Sequence, residues 1–547
     1  MFKTLVGLLV LAIGCGGGAA EGPQTTTAGG TGSGAKSAGA GDASLEVTPI
    51  PISGVMFEPE ALGRPGMPLV NAKRATTIDK QRKVFEATKE PVLRQAQAAV
   101  LATMLYLKSK DAKGDEQTKL LTEARQALLD SETTLKPNDK ADDITLRLLG
   151  TYDLILEDFP GAEAAWGQLV ADAPKDKDAL FNRAWWAYAL LKNYKNADAL
   201  AAVKDQPLDV KQPELAYVTA WAKWRTGDNA GAWQAIVTAA QGWGTANKEA
   251  LDRDVLLLAG RTGTTLADAV AQLGPIYGKT KAAQYDLLAK LGLQSYQYAG
   301  RWADGVAAID KAIALEGPAV PANDLPVLRY TQADYTVRLD DPVKAAAFAK
   351  QALDALPACG AKCSDKDKEN IVESVYIMGR LFHILYATAH DDRYYQPAHD
   401  LYAAAVPLIT MNDKTRAEAT QAQTFLEGSF RGMKAGAGKH DKDAIGALLG
   451  RHNQEVQACY ERGLAANPKL AGTLVVDLEA DQNGAILGVN TDPHAGMQDM
   501  AMVAGCVAEH AKAWRLPARA NGKGAPGSTR IKLTYNASAA AKSAAQR

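Results

Sequence analysis

Phe159-Pro160-Gly161-Ala162-Glu163-Ala164-Ala165-Trp166-Gly167-Gln168-Leu169-Val170-Ala171-Asp172-Ala173-Pro174, preceded by Leu149-Gly150, reads as the join and second half of a helical hairpin. Leu149-Gly150 falls on a first helix, Phe159-Pro160-Gly161 makes a turn, and Ala162, Trp166 and Leu169 recur at helical spacing until Pro174 stops the second helix. Small residues at 150 and 162 let two helices approach closely, while Trp166 and Leu169 fill the seam to the next hairpin. The same intervals of four, three and five residues return at Ala345, Ala349, Ala352 and Pro357.

Working outward, the register reappears at Gly227-Asp228, Ala232, Ile236 and Ala239, and at Gly300, Gly305, Ile309 and Ala312. Degenerate copies are marked by Tyr188, Tyr194 and Ala197, and by Tyr394-Tyr395, Ala398, Tyr402 and Ala405. Gly260, Gly263 and Gly274-Pro275 break the pattern, so irregular helices are expected over residues 247–285. Before the hairpin, Pro91 suits a first helical turn and Leu93, Ala96, Val100, Met104 and Leu107 continue at intervals of three and four. Residues 80–435 are therefore expected to be a helical repeat body.

The pattern resembles the tetratricopeptide family, whose unit is roughly 34 residues. That resemblance implies a mainly α helical solenoid whose first helices line a groove for a partner peptide. Carried onto this chain, the groove positions are Arg147, Thr151, Asn182, Trp186, Tyr217, Trp221, Trp224, Arg225, Lys290 and Gln294. Tyr217, Trp221 and Trp224 share one helical face and have the chemistry of binding anchors, but the same face also suits packing between neighbouring helices.

With 547 residues and an apolar share of 47%, the chain is long enough for more than one core. Its 61 basic and 62 acidic residues leave a formal charge of -1, which gives no reason to expect nucleic acid as a partner.

Residues 1–15 read as a processing signal: Lys3, an apolar run from Leu5 to Ile13, then Ala12-Ile13-Gly14-Cys15. The run is too short to span a bilayer, which takes about 20 residues. It resembles a bacterial lipoprotein signal, which implies acylation of Cys15; an ordinary secretory signal is the alternative. Gly16 resembles the second mature residue of lipoproteins sorted to the outer membrane, so an outer-membrane lipoprotein facing the periplasm is expected, or a soluble periplasmic protein under the alternative. Residues 16–48, rich in Gly, Ser and Thr, read as a disordered tether.

Setting Cys15 aside, four cysteines divide into Cys359 with Cys363 and Cys459 with Cys506, as structural disulfides of an oxidising compartment.

After Gly432, Ala435, Gly436, Ala437 and Gly438 the chain changes character. A helix over 443–466 leads to apolar, β-branched Gly472-Thr473-Leu474-Val475-Val476-Asp477-Leu478-Glu479, a turn at Asp481-Gln482-Asn483-Gly484 and a partner strand to Asn490. A second helix over 497–514, Arg515-Leu516-Pro517 and a last strand over 529–535 follow. This order, with Ala458-Cys459-Tyr460-Glu461 early and Cys506 ahead of Trp514-Arg515-Leu516-Pro517, resembles the TonB-like C-terminal domain of AgmX/PglI-type proteins over residues 443–536. The resemblance implies a small α+β domain making protein contacts in the periplasm; residues 537–547 read as a disordered tail.

No nucleophile elbow, phosphate loop or His-Glu-x-x-His motif occurs, so the chain is expected not to be an enzyme and to use no cofactor, metal or small-molecule substrate. The densest polar cluster, His383, His390, Asp391, Asp392 and His399, reads as a solvated turn. The expected function is a lipid-anchored scaffold that binds other envelope proteins, in a machine such as a gliding-motility or secretion apparatus. The alternative is a cell-wall-associated lipoprotein that binds peptidoglycan or positions a hydrolase.

Overall fold

The computed structural model describes residues 43–47, 50–52, 56–57, 77–135, 141–172, 174, 178–244, 248–315, 320–389, 392–410, 413–429, 442–467, 470–480, 486–493, 500–515 and 527–535. Cys15 with the expected signal, the expected tether up to residue 42, residues 432–438, the expected turn over 481–484 and the expected tail from 537 lie outside the described residues. The chain is mainly helical and divides into two compact units, residues 50–258 and residues 259–537, the latter with strand β1 (Ala43–Val47).

The first unit is built from α1 (Ile78–Ala87), α2 (Pro91–Ser109), α3 (Asp115–Glu132), α4 (Asp143–Ile155), α5 (Phe159–Asp172), α6 (Ala179–Lys192), α7 (Asn196–Val203), α8 (Pro213–Arg225), α9 (Asn229–Trp243) and most of α10 (Lys248–Arg261). Neighbours pair as α2 with α3, α4 with α5, α6 with α7 and α8 with α9, and the first helices of pairs also meet, α2 on α4 and α6 on α8. Helix starts follow from local chemistry: the Asp142 carboxylate accepts from the backbone N–H of Ile144 and Thr145 at 2.8 and 2.9 Å, satisfying two donors that a helix end leaves open.

The hairpin join falls earlier than the sequence predicts. Helix α4 ends at Ile155, Glu157 reverses the chain at φ 61°, and Phe159-Pro160-Gly161 already form the first turn of α5. Proline fits there because its missing N–H is one the helix start would leave unbonded. Gly150 does what was expected of it: a Cβ would sit 2.5 Å from Cδ1 and Nε1 of the fully buried Trp166.

Arg125 on α3 ties this join down, its Nε donating to Asp153 Oδ1 and its Nη2 to Asp158 Oδ2 at 2.9 Å. Burial pushes the Asp153 carboxyl up to about 6, against the pull of Arg125. A carboxyl whose folded pKa is raised contributes stability below its unfolded pKa, and that contribution is lost as pH rises through the folded value. The stability of this unit should therefore fall by about 3 kcal/mol on this account between pH 4 and 6. Urea midpoints across that range should lose the decline in Asp153→Asn; an unchanged slope would assign it to other groups.

The second unit continues with α11 (Leu266–Tyr277), α12 (Lys281–Lys290), a π-turn over Leu291–Ser295, α13 (Tyr296–Ala299), α14 (Trp302–Ile313), α15 (Leu325–Arg338), α16 (Pro342–Cys359), α17 (Asp365–Ala389), α18 (Tyr395–Ala405) and α19 (Asp413–Ser429). The irregularity expected around 247–285 takes a specific form. Pro275 lies inside α11, the π-turn widens the chain after α12, and a Cβ on Gly260 would stand 2.1 Å from the Ser295 carbonyl oxygen, so only glycine permits that approach. Pro357 does not stop its helix. It sits inside α16, which ends at Gly360 with φ 53°, a backbone geometry that favours glycine.

The C-terminal part of this unit comprises α20 (Lys442–Ala466), β2 (Gly472–Ala480), β3 (Ile486–Pro493), α21 (Ala501–Ala511) and β4 (Gly527–Tyr535). The sheet order is β1-β4-β2-β3, antiparallel except for β1, which runs parallel to β4 from Ala43 opposite Ile531 to Val47 opposite Tyr535. Residues 43–47, read from composition as tether, are thus an edge strand. Leu474, Val476 and Leu478 project to one face and close a core with Cys459, Tyr460, Val507, Trp514 and Leu533.

Candidate functional site

The helices α6, α8 and α10 place Trp185, Tyr188, Tyr217, Arg225, Arg253 and Asp254 together, and a short segment of the chain lies on them. Ile52, Met56 and Phe57 are buried there. The Phe57 ring stacks on Tyr188 with centroids 4.2 Å apart and planes 1° apart, and meets Trp185 edge-on at 5.1 Å. Arg225 Nη2 donates to the Ile50 carbonyl at 3.2 Å and Arg253 Nη2 to the Pro51 carbonyl at 2.8 Å.

Both arginines are held in place. Arg225 Nη1 donates to the Leu191 carbonyl at 2.8 Å, and its guanidinium lies 5.0 and 5.1 Å from the Tyr194 and Trp221 ring centres. Arg253 Nη1 is 3.5 Å from Asp254 Oδ1, while Tyr217 Oη donates to Asp254 Oδ2. Burial, and then the Asp254 charge, push the Tyr217 hydroxyl well up, so it stays a neutral donor. The site reads two main-chain carbonyls through guanidinium groups and one aromatic side chain through an aromatic slot. That chemistry fits the main chain and one aromatic side chain of a peptide.

The positions predicted from the sequence divide. Tyr217 and Arg225 touch the docked segment. Trp221 and Trp224 pack on each other at 5.2 Å within the helical layer. Arg147 is buried, with Nη2 3.2 Å from Asp178 Oδ2, and Thr151 donates to the Arg147 carbonyl at 2.7 Å. Asn182 is fully buried. Trp186 lies over Gly167 of α5, whereas its neighbour Trp185 meets Phe57. One residue along a helix is a rotation of about 100°, which separates Trp186 from the face that Trp185 presents to Phe57. Lys290, paired with Asp286 at 3.2 Å, and Gln294 on the π-turn belong to the other unit.

Trp185, Tyr188, Arg253 and the docking segment itself were missed. The available signal was the apolar run Pro49-Ile50-Pro51-Ile52 to Met56-Phe57, which ends the low-complexity stretch abruptly.

Both cysteine pairs are disulfide-bonded, Cys359 to Cys363 and Cys459 to Cys506, each with Cα atoms 5.6 Å apart. In the polar cluster, His390 and Asp391 lie outside the described residues. His383 is buried with Nδ1 3.3 Å from Tyr402 Oη, and His399 Nδ1 is 3.4 Å from Asp400 Oδ1. Beside the second disulfide, Glu455 Oε2 accepts from Trp514 Nε1 at 3.0 Å and lies 3.1 Å from His452 Nδ1 and 3.9 Å from His510 Nδ1. Burial pushes the Glu455 carboxyl up, but its hydrogen bonds to His452 and Trp514 and the neighbouring histidines outweigh this and hold it below its ordinary value.

Among the described residues no helix is long and apolar enough to cross a membrane. Compared with known proteins, the chain matches no family model and no curated protein.

Proposed function

We propose that the protein is a lipid-anchored envelope adaptor: a tetratricopeptide-like solenoid that holds an extended peptide, joined to a TonB-like domain that makes a second protein contact. In this reading Cys15 carries the lipid, the Gly/Ser tether gives reach, and the partners are other envelope proteins of a machine such as a gliding-motility or secretion apparatus. One observation carries it: the Ile50 and Pro51 carbonyls accept from Arg225 and Arg253, and the Phe57 ring lies in the Tyr188 slot, the contacts a bound peptide would make. The chain supplies its own stand-in ligand.

The test uses the full chain with residues 50–57 replaced by Gly and Ser. A labelled peptide of sequence Pro49 to Phe57 should bind saturably by fluorescence anisotropy. Phe57→Ala in the peptide, or Tyr188→Ala or Arg225→Ala in the protein, should weaken binding by roughly tenfold or more, in keeping with loss of a buried aromatic or charged anchor. The same protein should not sediment with purified peptidoglycan. Sedimentation with peptidoglycan and no peptide binding would favour a cell-wall-associated lipoprotein instead.

A further inference from the structure

We infer that the Cys459–Cys506 pair, once reduced, forms with His510 a binding site for a zinc ion, so that the C-terminal domain exchanges a disulfide for a metal cross-link at the same place. Among the described residues this is the group of cysteine, histidine and carboxylate side chains whose ligand atoms converge, all lying within 4.8 Å of one another. The sequence builds it from two facing helices. Cys506 and His510 are four residues apart on α21, which puts both on one face, and Cys459 comes from α20 across the disulfide.

The donor chemistry selects the metal class. Two thiolates and an imidazole are the ligands of tetrahedral zinc, with Zn–S near 2.3 Å and Zn–N near 2.0 Å. Three ligand atoms within 4.8 Å of one another need only side-chain rotation to close on such an ion. With His510 41% exposed, the fourth position is open to water. Glu455 is placed to orient the imidazole, since its Oε2 is 3.9 Å from His510 Nδ1 and is itself fixed by Trp514 and His452. Metal-bound histidines are commonly held this way by a carboxylate.

Access to the bond is one-sided. Cys459 is fully buried, whereas Cys506 is only partly buried, so Cys506 is the cysteine an attacking thiolate approaches more readily. The reductant is a dithiol. Its thiolate forms a mixed disulfide with Cys506 Sγ, the Cys459–Cys506 bond breaks, and Cys459 leaves as thiolate. The second thiol of the reductant then displaces Cys506, so two electrons pass to the protein and the dithiol becomes a disulfide. Zinc binding releases the protons of the two thiols.

The experiment uses the full chain with Cys15, Cys359 and Cys363 changed to Ser, so that only this pair is present. After reduction and removal of the reductant under anaerobic conditions, the protein should take up one zinc ion per chain, and cobalt in its place should give a thiolate charge-transfer band and the intense visible bands of a tetrahedral site. The oxidised protein should take up neither ion. His510→Ala, which leaves the disulfide and core intact, should weaken zinc binding by about tenfold or more, and Glu455→Gln should weaken it by roughly tenfold. Reduced protein that binds no zinc, or binds it equally in His510→Ala, would overturn the proposal.

Discussion

Trp166→Ala should lower the stability of the 50–258 unit by about 3–5 kcal/mol, the range for removing a large buried aromatic. Trp166 is fully buried and stacks on Trp185 with centroids 5.1 Å apart, so truncation opens a cavity and removes a ring contact together. Gly150 sharpens the experiment. A methyl group there would overlap the Trp166 indole at 2.5 Å, an overpacking cost of about 1–3 kcal/mol that outweighs the roughly 1 kcal/mol by which Ala favours a helix over Gly. In a Trp166→Ala background the overlap is gone and only the helix preference is left. Gly150→Ala should therefore destabilise the native protein and stabilise the Trp166→Ala variant, as read from urea midpoints by circular dichroism. An equal effect in both backgrounds would mean that Gly150 and Trp166 do not form the seam.

The same seam shows why the helical body was legible. Ala162, Trp166 and Leu169 are all fully buried, and their spacing is a direct record of one helical face packed against another. The elements after residue 442 were legible for a parallel reason. The first helix there and the strands lie within two or three residues of the predicted bounds because alternation along β2 and the cysteine placement are local features, whereas the second helix, expected over 497–514, spans Ala501–Ala511. What escaped depends on contacts distant in sequence. The pairing of Ala43 with Ile531 leaves no local trace, so a strand was read as tether. The docking of Phe57 on Tyr188 is likewise a long-range choice, visible in the sequence only as an apolar run beginning after low-complexity chain. Pro357 misled because a proline near a helix end costs little when the helix has barely two more residues to run, so the glycine after it sets the boundary.

Cutting the Cys459–Cys506 cross-link by Cys459→Ala/Cys506→Ala should destabilise the C-terminal domain by about 4 kcal/mol. The bond closes a loop with a sequence separation of 47, and the loss of chain entropy it imposes on the unfolded state grows with the logarithm of that length. The Cys359–Cys363 pair, with a separation of 4, is worth only about 2 kcal/mol by the same relation. The first pair also contributes to packing, since Cys459 is fully buried among Tyr460, Val507 and Trp514, which reinforces the difference. Hydrogen exchange in β2 and β4 reads the effect where it falls: protection should drop by roughly a thousandfold in the Cys459→Ala/Cys506→Ala variant, 4 kcal/mol expressed as a ratio. In Cys359→Ala/Cys363→Ala the same strands should be unchanged, because that pair sits at the end of α16 and not in the sheet domain. Equal losses from both variants would mean that the two bonds act through one cooperative unit, while no loss from the first would mean that packing of Trp514 and the sheet alone holds α20 to α21.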